Sequence, residues 1–227
     1  MFDSHYAPST VNTYVSALGY SHKLMGFPDP AKVFYVSQML KGYGKIGFCL
    51  DSRLPITLPM LQKFISAAPG LPGSHYSRCQ FQALCSLAFF AFLRIGEITA
   101  ATGPDSPSPL QLCHLTKLLY SQGTTQAFRI TCCNFKHHYN ELPFSLMISR
   151  QEVGCPVQLL SSYLSLRGNS TGPLFRALDG SPVSRTHFAN QLSLAISLCV
   201  LDPSRYKGHS FRIGAASHAT DRGFSGA

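Results

Sequence analysis

The segment from Ser77 to Leu93 constrains the fold most, because it contains the longest strongly apolar stretch of the chain, Ala83 to Leu93. Ser77 is the predicted N-cap of a helix, whose apolar side chains recur at helical spacing: Phe81, Leu84, Cys85, Ala88, Phe89 and Phe92. A helix with so many apolar residues needs other elements around it. The chain is therefore expected to fold around a largely buried helix, with Arg94 emerging at its end.

Further helices are predicted where apolar residues recur at helical spacing between capping and breaking residues. They run from a cap at Ser9 or Thr10 to Met25, from Ala31 to Leu40, from Thr57 to Ile65, from Pro156 to Arg167 and from Ser184 to about Cys199. In the second of them the side chains expected to face inward are Val33, Val36, Met39 and Leu40.

In the middle of the chain the apolar residues change from helical spacing to alternation with polar ones. Phe128 to Cys132 alternates apolar and polar residues, and Leu142 to Ile148 does so less cleanly. The basic segment Asn134 to Asn140 lies between these two runs, which predicts a β-hairpin with a solvated tip. The expected fold class is mainly α with a small β-hairpin or sheet, an α+β fold.

Two domains are expected. Between Tyr43 and Pro55 the helical pattern gives way to turn-forming residues without a sustained period, which is typical of a linker. Residues 1–50 are predicted to form a small, partial helical domain, and residues 51–227 a larger one.

Charge favours a polyanionic partner. Only 13% of the residues are charged, and 19 Lys and Arg face 10 Asp and Glu, which leaves a formal net charge of +9. Such an excess attracts nucleic acid through phosphate contacts and counterion release.

The eight cysteines include no CxxC pair. Several fall in apolar runs, where a reduced thiol packs as a small hydrophobic group, so neither a disulfide framework nor a zinc site is predicted. No secretory signal is visible at the start, and the apolar run Ala83 to Leu93 is too short to cross a bilayer. We expect a nuclear or other intracellular protein with no membrane partner.

Two distant segments carry the chemistry, Leu93 to Glu97 and Gly208 to Gly214. A helix that begins near Gly208 would place His209 and Arg212 on one face, one turn apart. Two guanidinium groups and an imidazole can bind one phosphate and exchange a proton with it, without a metal or a cofactor. Glu97, three residues after Arg94, can orient that guanidinium or a neighbouring histidine.

The same segments resemble a known family. Phe92-Leu93-Arg94-Ile95-Gly96-Glu97-Ile98 resembles the first-arginine box of tyrosine recombinases, and His209-Ser210-Phe211-Arg212-Ile213-Gly214-Ala215-Ala216 resembles their His-x-x-Arg box. Together with Gly172-Pro173-Leu174-Phe175 and Asp179-Gly180-Ser181-Pro182, the order of these boxes is similar to the recombinases of DIRS and Ngaro retrotransposons. The resemblance implies a tyrosine recombinase catalytic domain preceded by a partial helical core-binding domain that clamps DNA.

The resemblance also implies roles for individual residues. Arg94, His209 and Arg212 would bind and activate the scissile phosphate of double-stranded DNA. Lys136, in the hairpin, would be the general acid, a role for which Lys117 and Arg129 compete. The implied partners are double-stranded DNA and other recombinase subunits.

The family's nucleophile has no counterpart in this sequence. Such enzymes carry a second His or Trp and then a tyrosine after the His-x-x-Arg box. Here only His218 follows Arg212, close to the box, and the last tyrosine is Tyr206. We therefore expect a C-terminally truncated recombinase that binds DNA and does not cleave it alone.

Other interpretations stay open. The chain is an active recombinase if its tyrosine comes from another chain. It is a domesticated, non-catalytic DNA-binding or interaction protein if the old site is only structural. Type IB topoisomerases share the catalytic logic and are a more distant enzyme alternative.

Overall fold

The computed structural model describes residues 6–46, 53–101, 108–120, 123–132 and 143–224. The chain divides into two compact units, Met1–Ser52 and Arg53–Ala227. In the described residues, no helix has the length and apolar character needed to cross a membrane. The assignment of the first unit to DNA clamping stays a prediction.

The first unit contains two helices, α1 (Pro8–Leu24) and α2 (Phe34–Ile46). Ala7 is the N-cap of α1 and makes no side-chain capping bond, so the predicted cap at Ser9 or Thr10 is wrong. Pro8 is the first residue of α1. Proline suits the first turn of a helix, because its missing N–H would be unpaired there in any case.

The second helix is displaced from its prediction. The carboxylate of Asp29 accepts the N–H of Ala31 and starts a short 3₁₀ turn, Pro30–Lys32, after which Val33 is extended. The helix therefore begins at Phe34 and continues to Ile46. Val33 and Met39, which were expected to face inward, are 49% and 72% exposed.

The second unit is built around the helix that the sequence singled out. Its helices are α3 (Leu58–Ala67), α4 (His75–Phe90), α5 (Ile95–Ile98), α6 (Pro156–Arg167), α7 (Arg185–Leu198) and α8 (Gly208–Asp221). Every residue of α4 from Ala83 to Phe89 is buried. Contacts with α3, α6 and α8 surround it.

The ends of α4 differ from the prediction. The hydroxyl of Ser74 accepts the N–H of Ser77 at 3.2 Å, so Ser74 is the N-cap and Ser77 lies within the first turn. The helix ends at Phe90, because Phe92 adopts a φ of 54°, which no right-handed helix can contain. Phe92 is 42% exposed rather than buried.

The predicted hairpin is present within a three-stranded antiparallel sheet. Strands β1 (Leu115–Leu119), β2 (Thr125–Cys132) and β3 (Phe144–Ser149) pair in the order β1-β2-β3. Phe128 lies opposite Ile148, and Ile130 lies opposite Leu146. The sequence did not predict β1, which shows no alternation of apolar and polar residues. The fold class is α+β, as predicted.

A buried arginine holds the loop between α6 and the last part of the domain. Arg167 is 3% exposed, and its guanidinium donates to the backbone carbonyls of Gly168, Ser170, Pro173 and Leu174 at 2.7 to 3.3 Å. Burial lowers the pKa of this guanidinium. Because its bonds all go to backbone atoms of one loop, the charge fixes the path of the chain toward α7.

Helix α8 packs against the start of the second unit. The N–H of Ile56 donates to the carbonyl of Ser210 at 3.0 Å, and the N–H of Leu54 donates to the carbonyl of Arg205 at 2.8 Å. Gly214 allows this approach, because a Cβ there would collide with the carbonyl oxygen of Ile56.

Replacing Gly214 with alanine should therefore destabilise the second unit. The new methyl group has no space beside the Ile56 backbone, so α8 or residues 54–56 must shift, at a cost of about 3 kcal/mol. Urea unfolding followed by circular dichroism measures the change. Gly70→Ala is the control, since its nearest neighbour is a Leu198 side-chain atom at 3.4 Å. Equal stability of the two variants would contradict the packing described.

Candidate active site

The first part of the site is Arg94, at the N-cap of α5. Its N–H donates to Glu97 Oε2 at 2.7 Å, and its Nη1 donates to Glu97 Oε1 at 3.0 Å. Leu93 and Ile95, on either side, are buried. The Arg94 side chain is 37% exposed, and its remaining N–H groups bond to no other described residue. Glu97 thus holds one edge of the guanidinium and leaves the other edge open, and its role as an orienting acid stays a prediction.

The second part of the site is the first turn of α8. The hydroxyl of Ser210 accepts the N–H of Lys207 at 3.1 Å and caps the helix. Ser210 and Phe211 are buried, which turns the side chains of His209 and Arg212 away from the core. His209 is exposed and Arg212 half-buried, and neither bonds to a side chain or carbonyl in the described ranges.

A shallow, open cavity of about 460 Å³ lies along this face of α8, and its described lining comes from this helix alone. It is lined by His209, Arg212, Ile213, Ala216, Ser217 and Thr220. The hydroxyls of Ser217 and Thr220 donate back to carbonyls of their own helix. The strongest donors that remain toward the cavity are therefore the side chains of His209 and Arg212.

The structure brings these two parts together. A Cβ on Gly208 would lie 2.7 Å from Cγ1 of Ile95, so the backbone of α8 begins directly against α5. Gly208 precedes His209, and Ile95 follows Arg94. Segments more than a hundred residues apart in the sequence thus meet at residues that are adjacent to Arg94 and His209.

Sequence reasoning missed a third arginine beside this contact. The Arg185 guanidinium lies against Gly96, where a Cβ would be 3.1 Å from Arg185 Cζ and closer still to Nη2. The N–H of Arg185 donates to the carbonyl of Ala100 at 2.8 Å and ties α7 to the end of α5. The sequence indicated Ser184 as the start of this helix. The contact between Arg185 and Gly96 depends on the packing of distant segments and has no local signal in the sequence.

The electrostatics of the site favour an anion. In the part of the chain that the structure describes, Glu97 is the one carboxylate paired with these cations, and its ion pair is with Arg94 alone. The same residues include no group of three or more His, Cys, Asp or Glu that could hold a metal ion. A phosphate group fits the donors, because guanidinium N–H groups pair with its oxygens two at a time.

Comparison with known proteins gives the fold. No protein-family model matches the sequence, and no curated protein matches it significantly. The solved structures that match include the XerH site-specific recombinase bound to difH substrate in a pre-cleavage complex, with 16% identity and a TM-score of 0.50. A post-cleavage complex of XerH with palindromic difH substrate matches with 15% identity and a TM-score of 0.51.

The chain has the tyrosine recombinase fold. Both matches cover 84% of this chain, and they cover 54% and 53% of the XerH chains. The chain therefore spans about half the length of the structures that it resembles. The roles of Arg94, His209 and Arg212 stay predictions, since identity at this level establishes the fold alone.

The general acid expected in this fold lies outside the described residues. Lys136 belongs to residues 133–142, between β2 and β3. Its two competitors are described and exposed. Lys117 lies on β1, opposite Phe128 of β2, and Arg129 lies on β2, opposite Thr116 of β1. Assignment of the acid to Lys136 stays a prediction.

His218 is directed away from the site. Its ring packs 5.8 Å from the ring of Phe89, which belongs to the buried helix α4. Its position along α8 is half a turn from the face that carries His209 and Thr220. Tyr206, the last tyrosine in the sequence, is 9% exposed and part of the core.

Glu97→Gln should loosen the arginine of this tyrosine recombinase fold. Glutamine keeps the size of the side chain but loses the negative charge that accepts two N–H groups of Arg94. We expect the free energy of unfolding to fall by about 0.5–1 kcal/mol, because the pair is partly exposed to solvent. Urea unfolding measures it. Glu152→Gln, at an exposed acid without an ion pair to a described residue, should have no effect. Equal effects would show that Glu97 does not hold Arg94.

Proposed function

We propose that this chain binds double-stranded DNA and holds one backbone phosphodiester among Arg94, His209 and Arg212, as an enzyme of DNA recombination does. The observation that carries this proposal is the contact between Gly208 and Ile95, which joins the two boxes in a chain of recombinase fold. Each box alone is an ordinary pair of surface residues. Their contact supports the proposal that donors from both boxes share one phosphate.

Charge supports the same conclusion. The chain carries a net charge of +9, and Arg212 and Arg185 form no ion pair with a described carboxylate. Cations without protein partners remain available to phosphate oxygens, and their binding releases the counterions of DNA. The DNA-bound state of the two XerH complexes agrees with this partner.

The proposed roles follow from the chemistry of each group. Arg94 and Arg212 would neutralise charge that develops on the phosphate oxygens, and His209 would exchange a proton beside them. Glu97 would act on Arg94 and not on the phosphate. Lys136 would protonate the leaving 5′ oxygen, and we retain it as the general acid on the resemblance alone.

We further propose that residues 1–227 bind DNA without attacking it. No tyrosine lies between Arg212 and Ala227, and Tyr206, the last tyrosine of the sequence, is buried. A covalent 3′-phosphotyrosyl link needs such a nucleophile. An origin in DIRS or Ngaro retrotransposons, assembly with other recombinase subunits and a nuclear location belong to the same proposal.

Arg212→Ala should weaken binding to a labelled DNA duplex at least tenfold at low salt. The loss of one phosphate contact should also reduce the slope of log K against log salt concentration by about 1. Fluorescence anisotropy over a salt series measures both quantities.

The matched control for this variant is Arg222→Ala. It removes the same charge from the same helix, ten residues or about 15 Å further along. We expect it to change the affinity less than threefold. A loss of equal size in both variants would indicate diffuse attraction to a basic surface and would contradict a specific phosphate site.

A suicide DNA substrate, nicked so that cleavage traps the protein, should yield no covalent adduct with the polypeptide of residues 1–227. The reason is that no tyrosine follows Arg212 in this sequence and that Tyr206, the last one, is buried. Denaturing gel electrophoresis of labelled DNA detects a trapped complex. An adduct, mapped to a residue by mass spectrometry, would show that this polypeptide supplies its own nucleophile.

A further inference from the structure

Phe92 has a backbone conformation that its side chain disfavours. Its φ is 54°, in the left-handed region where a Cβ crowds the neighbouring carbonyl oxygen. A glycine at this helix end would avoid the strain. Phe92 nevertheless carries a phenyl ring, and it is 42% exposed. Strained residues of this kind persist where the surrounding structure and function require them.

The second such residue in the described ranges gives a comparison. Val200 has a φ of 58° and also follows the end of a helix, α7. It is 92% exposed. Arg185 begins α7, so Val200 lies at the opposite end of this helix, about 20 Å away along its axis. Left-handed strain alone therefore does not mark the site, and the position of Phe92 supplies the further argument.

Phe92 and Arg94 are both exposed, and a buried residue separates them in the chain. Leu93, between them, is 2% exposed and belongs to the core. Phe92 is 42% exposed, and the Arg94 side chain is 37% exposed. The Phe92 ring stacks on no other described aromatic ring. Leu93 and Ile95 anchor the segment in the core, and the ring stays at the surface two residues before the arginine.

We propose that Phe92 is a DNA-contacting residue whose ring packs against the deoxyribose next to the phosphate bound by Arg94. This inference rests on the proposed function. The carbon face of a deoxyribose is the apolar part of the DNA backbone, and covering it removes apolar surface of both partners from water. The contact involves no base edge, so it adds affinity without sequence preference.

The test compares Phe92→Gly and Phe92→Asn with the parent chain. Both replacements tolerate a positive φ and remove the ring. Each should weaken binding to two labelled duplexes of unrelated sequence about five- to tenfold, and by the same factor on both. Phe92→Tyr keeps the ring and should bind within twofold of the parent. Val200→Gly, the control for backbone strain, should leave the affinity unchanged.

The salt dependence separates direct contact from a change in Arg94. A lost sugar contact lowers the affinity and leaves the slope of log K against log salt concentration unchanged. If Phe92 only positioned Arg94, the slope would fall by about 1, as for a lost phosphate contact. That outcome would overturn the proposal, as would a loss confined to one duplex.

Folding is checked on every variant by thermal unfolding, and affinities are taken at a temperature where all variants are folded. If Phe92→Gly is unstable there, Phe92→Asn decides. Parent-like binding by the deciding variant, with binding lost in Arg212→Ala, would refute the role of Phe92 alone. Parent-like binding in Arg212→Ala as well would refute the phosphate site itself.

Discussion

The burial of α4 is the constraint on which the second unit depends. From Ala83 to Phe89 every residue is inside, so the helix must be covered on all sides. Helices α3, α6 and α8 supply the cover. Because α8 carries His209 and Arg212, and α4 leads directly into Arg94, the burial of one apolar helix brings both halves of the site to the same region. Apolar area removed from water thus determines where the polar chemistry lies.

Glycines set the close distances of the site. Gly208 lets the start of α8 touch Ile95, Gly214 lets it touch the Ile56 backbone, and Gly96 leaves space for the Arg185 guanidinium. None of the three needs a left-handed backbone. Each is required because a single methyl group would push two elements apart, and displacements of that size would separate the donors of the proposed phosphate site.

Arginine side chains are used in two ways in this domain. Arg167 is surrounded by backbone carbonyls and fixes the loop from Gly168 to Leu174, which leads toward α7. Arg94 is held by one carboxylate and keeps an open edge toward solvent. A guanidinium with all its donors satisfied is a structural group, whereas one with free donors can bind a ligand. Arg212 and Arg185 resemble Arg94 in this respect.

Local signals in the sequence determined the helices and the hairpin. Apolar spacing and caps placed α6 and α7 almost to the residue and indicated where α8 begins, because capping residues and glycines act within one turn of the chain. Where the predicted bounds of a helix were wrong, the causes are local and do not show in the spacing of apolar residues. The turn bonded to Asp29 displaced α2, and the left-handed Phe92 ended α4 early.

The sequence by itself also determined which residues could bind a phosphate, since two arginines and a histidine in two boxes are visible without coordinates. Only the tertiary structure decided that the boxes meet, that Arg185 lies beside them and that His218 is directed into the core. The physical reason is that contacts between distant segments depend on the packing of whole helices around α4. No periodicity or motif along the chain encodes that packing residue by residue.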